Sequence, residues 1–341
     1  MQLHRGSVQP AGKFLVVLFS AVVVISAGYS LFTRPTSPHI NNYNLSKNAA
    51  DGYALSPLQM NEKFYSTFPD LKSYVRGKEV FQPVFTSLTG LEQLEQFTLD
   101  KKRATAHLAL AKKAFEMVVQ HSVLDSKKKR WLAYNFDFPL HQDPKNTLKA
   151  PWHSAMAQGV AASFATRLYE ATHEKRYLTL ANEFINCLRD RISYKDLPTS
   201  ARFVTFQDRS NYFWLEEYAG NNPPMQVING HIFAIFGLYD YWRVTKDAEV
   251  ASLIKEAATT IDHYFPDFRN PGGVSWYGIR VQDNPLAMSK KYHMIVTAQL
   301  KVLASITQSD SFNKQSALLF KDYNQGGMTG FSTLETLIGR K

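Results

Sequence analysis

Residues 158–181, QGVAASFATRLYEATHEKRYLTLA, carry the pattern from which the fold follows. Gln158-Gly159-Val160 opens an apolar run that closes on Leu168-Tyr169. Thr172 begins a short polar turn. Tyr177 and Ala181 then mark a segment that is apolar on one side only, so the stretch reads helix, turn, amphipathic helix. The pattern returns at Asn229-Gly230-His231, with Leu238-Tyr239, Thr245 and Ala251. It returns more weakly at Thr297-Ala298-Gln299, with Ala304, Thr307, Phe312 and Ala317. Residues 104–122 read as the second half of an earlier unit, because Ala106, Ala109, Leu110, Ala114, Met117 and Val118 keep helical spacing. Repeated helix pairs stack into a solenoid or close into a ring. The expected class is mainly α: an incomplete α/α toroid of helix-pair repeats. Residues 131–140 (WLAYNFDFPL), 202–214 and 273–280 (GVSWYGIR) break the helical rhythm with strand-like alternation. Short strands or hairpins at the mouth of the helical array are expected there, where inserted loops tend to carry function.

Composition narrows the class further. The chain has 341 residues, 45% hydrophobic and 20% charged, which excludes a disordered or low-complexity protein. The excess of 39 Lys+Arg over 29 Asp+Glu gives +10, a balance suited to nucleic acid, acidic lipid or an acidic polymer. Cys187 is the single cysteine, so no internal disulfide framework exists and no Cys-x-x-Cys zinc spacing is present. Aromatics reach 13%, high for an ordinary nucleic-acid binder and common in proteins that hold sugars. No nucleic-acid motif is recognised, and no nucleic-acid partner is expected.

Phe14–Phe32 (FLVVLFSAVVVISAGYSLF) is uncharged and long enough to cross a bilayer as a helix. Arg5 and Lys13 precede it and Arg34 follows, which favours a cytoplasmic N-terminus. A signal peptide cut after Ala27 is the alternative. The expected organisation is a cytoplasmic piece at 1–13, a transmembrane anchor at 14–32, and a stalk and lead-in at 35–75. The α/α domain follows at 76–324 and a tail at 325–341. The protein would be a single-pass type II membrane protein with residues 35–341 outside the cytoplasm, in a periplasm or a Golgi lumen according to the host. Asn44-Leu45-Ser46 is a glycosylation sequon, without meaning in a bacterial host.

Four clusters lie at a helix start or in a loop before one: Pro151–Gly159 (PWHSAMAQG), Trp214–Tyr218 (WLEEY), Gly272–Arg280 and Lys290–His293 (KKYH). In a toroid these ends gather around one opening, bringing Glu217, Tyr218, Tyr277, Arg280, Tyr292 and His293 within reach of one ligand. Taken singly, each has a bland explanation. A tyrosine beside Trp or Pro is usually packing, paired acids often open a solvated helix, and paired lysines are often surface.

At these residues the sequence resembles the C-terminal helical domain of D-glucuronyl C5-epimerases, which act on heparosan-type glycosaminoglycan. The likeness spans roughly 131–322. The family's Pro-Trp-x-Ser-(Ala/Gly)-Met-x-Gln-Gly stands at Pro151–Gly159, and its Trp-x-Glu-Glu-Tyr at Trp214–Tyr218. Its Asn-Gly and Gly-Leu-Tyr-Asp stand at Asn229-Gly230 and Gly237–Asp240. Its Tyr-x-x-Arg stands at Tyr277–Arg280, and its Tyr-His with a later Gln-Leu at Tyr292-His293 and Gln299-Leu300. The resemblance implies that Glu217, Tyr218, Tyr277 and Tyr292 are catalytic and that Arg280 and Asn229 line the sugar site. It implies an isomerase that needs no cofactor and no metal. Its partner is an acidic polysaccharide, heparosan or N-sulfoheparosan, and a homodimer is compatible with it. Two departures stand out. Val296 replaces a second histidine often found in animal enzymes, and residues 35–130 leave no room for their calcium-holding β-domains.

The implied reaction strips the C5 hydrogen of glucuronate and returns a proton to the opposite face. Arg280 suits the substrate carboxylate because its planar fork grips it bidentately, with His293 in support. Tyrosine can serve as base if a cation such as Arg280, Lys290 or Lys291 brings its pKa down. Tyr292 is expected to oppose Glu217 or Tyr218, with Tyr277 assisting. His141, Lys145 and Lys149 are expected polymer contacts. A polysaccharide lyase shares the first step, and a catalytically silent glycan-binding protein is the alternative from another class.

Overall fold

A computed structural model describes residues 38–49, 73–75, 77–198, 202–220, 222–280, 282–284 and 287–323. The apolar run at 14–32 and the tail at 325–341 lie outside the described residues. Among those described, no helix is long and apolar enough to cross a membrane.

Among the described residues eight α-helices form four hairpins: α1 (Pro83–Leu99) with α2 (Ala104–Gln120), α3 (Ala155–Thr172) with α4 (Lys175–Ile185), α5 (Ile228–Thr245) with α6 (Ala248–Phe268), and α7 (Lys290–Thr307) with α8 (Asp310–Asp322). The first helices pack in a row, α1 on α3, α3 on α5 and α5 on α7. In α3, α5 and α7 burial extends around most of the helix, whereas α4 and α8 are buried along one stripe. This is the mainly helical array of pairs expected from the repeats.

The repeat is physical as well as textual. Helices α3, α5 and α7 each span 18 residues and end on a threonine. The hydroxyls of Thr172, Thr245 and Thr307 donate to the carbonyls of Leu168, Tyr241 and Leu303. Each threonine is followed by a residue in the left-handed region: His173 at φ 59°, Lys246 at φ 57° and Gln308 at φ 51°. That conformation ends the helix and aims the chain into its partner. The first helix of the third unit opens at Lys290, where the Lys290–His293 cluster is expected to start it, and closes at Thr307. Helix α1 escaped the sequence reading. Its buried face carries Thr86, Ser87, Thr89 and Gly90 instead of a clean apolar stripe.

Glycines set the spacing between the inner helices. A Cβ at Gly237 of α5 would lie 2.0 Å from the carbonyl oxygen of Gly159 in α3. Buried Asp240 ties the same pair of helices by accepting from Ser163 and from Arg167 Nε at 2.8 Å. Burial alone would raise the Asp240 pKa, but Arg167, Arg243 and Ser163 hold it below the usual range.

The strands are short. β1 (Ser73–Val75) pairs with β2 (Lys78–Val80), and β3 (Ser122–Leu124) pairs with β4 (Arg130–Tyr134), which also pairs with β7 (Trp152–His153). β5 (Phe138–Pro139) pairs with β6 (Thr147–Leu148), and β8 (Thr205–Gln207) with β9 (Phe213–Leu215); every pairing is antiparallel. Strands form within 131–140 and 202–214 as expected. Residues 273–280 do not form one. They are held as a loop by single bridges, Val227 to Gly278 and Trp276 to Met288. The stalk expected at 35–75 is also corrected in part, since residues 38–49 are strapped to the domain. Asn41 N–H donates to Thr259 Oγ1 at 2.8 Å, Ser46 N–H to Ile306 O at 2.8 Å, and Tyr43 is buried.

Gly237→Ala places a methyl against backbone that no rotamer change can move. We expect it to destabilise the domain by about 1–3 kcal/mol, read as a lowered urea midpoint at unchanged m-value. An unchanged midpoint would show that α3 and α5 do not meet at this glycine.

Candidate active site

The site is built on loops that the inner helices pin in place. The pin is the fourth residue of each helix. In α3 it is Gln158, whose Oε1 accepts from Leu132 N–H at 3.1 Å and whose Nε2 donates to Arg130 O at 2.8 Å. In α5 it is His231, whose Nδ1 accepts from Leu215 N–H at 3.1 Å while Nε2–H donates to Ala257 O at 3.0 Å. In α7 it is His293, whose Nδ1 accepts from Ser275 N–H at 2.9 Å while Nε2–H donates to Leu319 O at 3.0 Å. Burial lowers the His231 pKa to about 4 and lowers that of His293, so both are neutral struts.

His231 holds the end of β9, where Glu216 and Glu217 follow. The extended backbone sends the two side chains different ways. Glu216 is fully buried and accepts from Tyr218 N–H at 3.1 Å and Gln226 N–H at 3.0 Å. It thereby joins the Tyr218 segment to the 225–226 loop, whose carbonyls accept from Ile279 and Arg280 N–H. Glu217 enters the site. Its Oε1 accepts from the Tyr277 hydroxyl at 3.2 Å, and the Tyr277 and Tyr218 hydroxyls are 2.9 Å apart. The Tyr292 ring lies against Tyr277 with centroids 4.8 Å apart. Glu217 Oε2 sits at the first turn of α5, where a Cβ on Gly230 would come within 2.1 Å of it. Only glycine admits the carboxylate there.

Electrostatics give the acid and the phenols separate roles. Burial, reinforced by Glu216, raises the Glu217 pKa to about 7, while Tyr218, Tyr277 and the Gly230 amide pull it back. Burial and the charge of Glu217 push Tyr218 and Tyr277 far above the usual phenol range and raise Tyr292. The expectation that nearby cations lower these phenols is therefore overturned. Desolvation wins, and among the described residues no cation hydrogen-bonds to the Tyr218 or Tyr277 hydroxyl. At neutral pH the phenols are protonated, and the ionisable group of this cluster is Glu217.

An aromatic wall closes one side. Phe138 of β5 stacks on Tyr218 at 5.9 Å, Trp152 lies 5.7 Å from Tyr218, and Tyr134 stacks on Trp152 at 3.8 Å. His141, on the turn after β5, meets the Tyr277 ring edge-on at 5.5 Å.

The structure thus brings together Glu217, Tyr218, Tyr277, Tyr292 and His141. Asn229, beside Gly230, is buried, and its carbonyl accepts from Gln299 Nε2 at 3.1 Å. His293 is not at the site. Both ring nitrogens are engaged inside the fold, which removes it from the expected sugar contacts. Arg280 is also elsewhere: its guanidinium is exposed and donates to the Tyr194 hydroxyl at 3.0 Å. The Lys291 ammonium lies over the Tyr292 ring, 5.9 Å from its centroid, while that of Lys290 lies over Tyr323 at 5.6 Å. Lys149 pairs with Asp137 at 2.8 Å, and the Lys145 amide donates to Asp143 at 2.9 Å. Sequence reasoning missed Glu216 as a clamp and Phe138 and Tyr134 as wall. The strand alternation of 131–140 was the signal for the last two.

Residues 125–322 match the sequence profile described as D-glucuronyl C5-epimerase C-terminus. An uncharacterized protein of Methanocaldococcus jannaschii, MJ1128, is 33% identical over 42% of this chain and 43% of its own length. The D-glucuronyl C5-epimerase of Caenorhabditis elegans is 25% identical over 50% of this chain and 28% of its own. The matches span less than half the length of either relative. Among solved structures, cellobiose 2-epimerase from Bacillus thermoamylovorans aligns at 10% identity, covering 73% of this chain and 62% of that one, with a TM-score of 0.49.

The raised Glu217 pKa has a consequence for stability. Between the ordinary 4.5 and about 7 the unfolded chain ionises this carboxyl while the folded protein still holds its proton. Stability therefore falls as pH rises through that window. Glu217→Gln, which keeps an acceptor for Tyr277, removes the penalty. In denaturant melts the variant should gain on the wild type by up to about 3 kcal/mol from pH 4.5 to 8. A difference that stays flat with pH would rule out a buried, perturbed Glu217.

Proposed function

The chain belongs to the D-glucuronyl C5-epimerase C-terminal family, and from that membership we propose that it inverts C5 of D-glucuronate to L-iduronate within a heparosan-type polymer. The observation that carries the reading is the continuous chain from Tyr218 through Tyr277 to Glu217. The C5 hydrogen lies α to the C6 carboxylate, so its removal needs a strong base held out of water and a proton donor on the other face. The Tyr218 oxygen takes the C5 proton as Tyr218 passes its own to Tyr277, and Tyr277 passes its own to Glu217. The net change is one proton moved from carbon to the carboxylate, with no phenolate left behind. Tyr292 protonates C5 from the opposite face. Its lost proton returns from Glu217 through Tyr277, whose ring lies against Tyr292. The pKa of about 7 lets Glu217 receive and release the proton near neutral pH.

The row of inner helices would curve as an incomplete toroid around the bound polymer, and Phe138 and Trp152 would stack against its sugar rings. The +10 balance suits an acidic chain. The apolar run at 14–32 would hold the domain on the outer side of a membrane.

Incubation with heparosan in deuterated water tests the reading. Deuterium should enter the uronate C5 position and iduronate signals should appear by NMR, without the ultraviolet absorbance of an unsaturated uronate. Tyr292→Phe should lower exchange by roughly 10²- to 10⁴-fold while polymer binding persists. Unsaturated product would instead identify a lyase. Polymer binding without any exchange would identify a silent glycan binder.

A further inference from the structure

The displacement of Arg280 from the phenols points to a second polymer contact. Arg103, Arg130, Arg167, Arg176, Arg189, Arg191, Arg243 and Arg269 each pair with a carboxylate. Arg280, Arg209 and Arg202 have no carboxylate partner among the described residues, and all three are exposed. Arg280 and Arg209 converge on one side chain. Arg280 Nη1 donates to the Tyr194 hydroxyl at 3.0 Å, and the Arg209 guanidinium lies over the Tyr194 ring, 5.1 Å from its centroid. Tyr194 is itself seated, its ring 6.1 Å from that of buried Phe206 in β8. Asp208, next to Arg209, turns its carboxylate inward to Trp214 Nε1 and the Tyr264 hydroxyl and does not neutralise the pair.

We propose that Arg280, Tyr194 and Arg209 form an anion subsite that grips a neighbouring residue of the polymer, not the glucuronate being inverted. The placement fits. Arg280 follows Tyr277 by one turn of loop and is anchored through its amide to Met225 O, beside the Gln226 amide that Glu216 holds. Its charge also reaches Glu216. The subsite therefore borders the phenol cluster through the loop that carries Tyr277. Its aromatic platform between two planar cations suits an oxyanion gripped by guanidinium forks. The ligand chemistry is an oxyanion on an extended sugar chain, either the carboxylate of a further uronate or an N-sulfo group. This deepens the proposed function and rests on it for the polymer.

The test is the binding of a heparosan octasaccharide at several salt concentrations to wild type, Arg209→Ala and Tyr194→Phe. Arg103→Ala, on the α1–α2 turn and paired with Asp100, is the control. Arg209→Ala should weaken binding about fivefold, the scale of one solvent-facing ion pair. It should flatten the dependence of affinity on salt by about one charge contact. Tyr194→Phe should weaken binding less, and Arg103→Ala should bind as wild type. Equal loss on N-acetylated and N-sulfated octasaccharides assigns the ligand as carboxylate, and loss confined to the N-sulfated chain assigns the sulfo group. Wild-type affinity and salt slope in Arg209→Ala, with an unchanged melting curve, overturn the subsite. Deuterium exchange at C5 is measured beside binding. Exchange that continues while Arg209→Ala has no effect sinks the subsite alone. Arginine-dependent binding without exchange sinks the epimerase and leaves the subsite.

Discussion

The site depends on a strut repeated three times. In the last three hairpins the fourth residue of the inner helix takes a hydrogen bond from the segment that precedes it: Gln158 from Leu132, His231 from Leu215, His293 from Ser275. The two histidines also donate into the outer helix of their own hairpin, to Ala257 and Leu319. Such bonds are made in buried surroundings, where a lost partner leaves an unsatisfied group and costs more than the bond itself. The segments are short strands and irregular loops, and each is tied to an inner helix by this bond. That is how residues from β9, the 225–226 loop, the 273–280 loop and α7 reach one cluster without a sheet beneath them.

The second constraint is desolvation. Tyr218 and Tyr277 are hydrogen-bonded to each other and to a carboxylate, so a phenolate there would sit against existing negative charge. Lowering them with cations would need a guanidinium or ammonium inside the cluster, and the nearest arginine of the motif faces Tyr194. The negative charge is better kept on Glu217. Its carboxylate abuts the first turn of α5, where the helix N-terminus favours an anion. Burial pushes that acid up, the helix end and the phenols pull it back, and the balance leaves it near 7.

Much of this is legible in the amino-acid sequence. The threonines at 172, 245 and 307 were visible as repeat marks, and they are the residues that close the inner helices. The three tyrosines and Glu217 were visible through motif spacing. What could not be read depends on direction. A histidine after a tyrosine looks like a ligand until its two nitrogens are found spent on Ser275 and Leu319. An arginine three residues after a tyrosine looks like its neighbour until a loop, not a strand, carries the pair. Alternation in 273–280 suggested a strand, but its backbone hydrogen bonds go to separate segments, Met225, Gln226, Phe268 and Ala287. Helix α1 was illegible because small polar residues fill its buried face, one of them Gly90, which admits the Phe164 ring.

The adjacent acids show most directly how environment, not residue type, decides chemistry. Glu216 and Glu217 share a peptide bond and a side chain, and both are buried. Extended backbone turns them to opposite sides. Glu216 meets two amides, which spend its lone pairs on holding the Tyr218 and Gln226 segments together. Glu217 meets one phenol with Oε1, while Oε2 lies at Gly230 with no partner of good hydrogen-bond geometry among the described residues. A carboxylate whose oxygens are both engaged by the backbone is fixed in place and fixed as an acceptor. One with a free oxygen at a helix end and a phenol on the other can take up a proton without dismantling its surroundings. The pair therefore divides the labour: one residue builds the pocket, the other carries its charge, and exchanging their positions by a one-residue slip of β9 would leave neither.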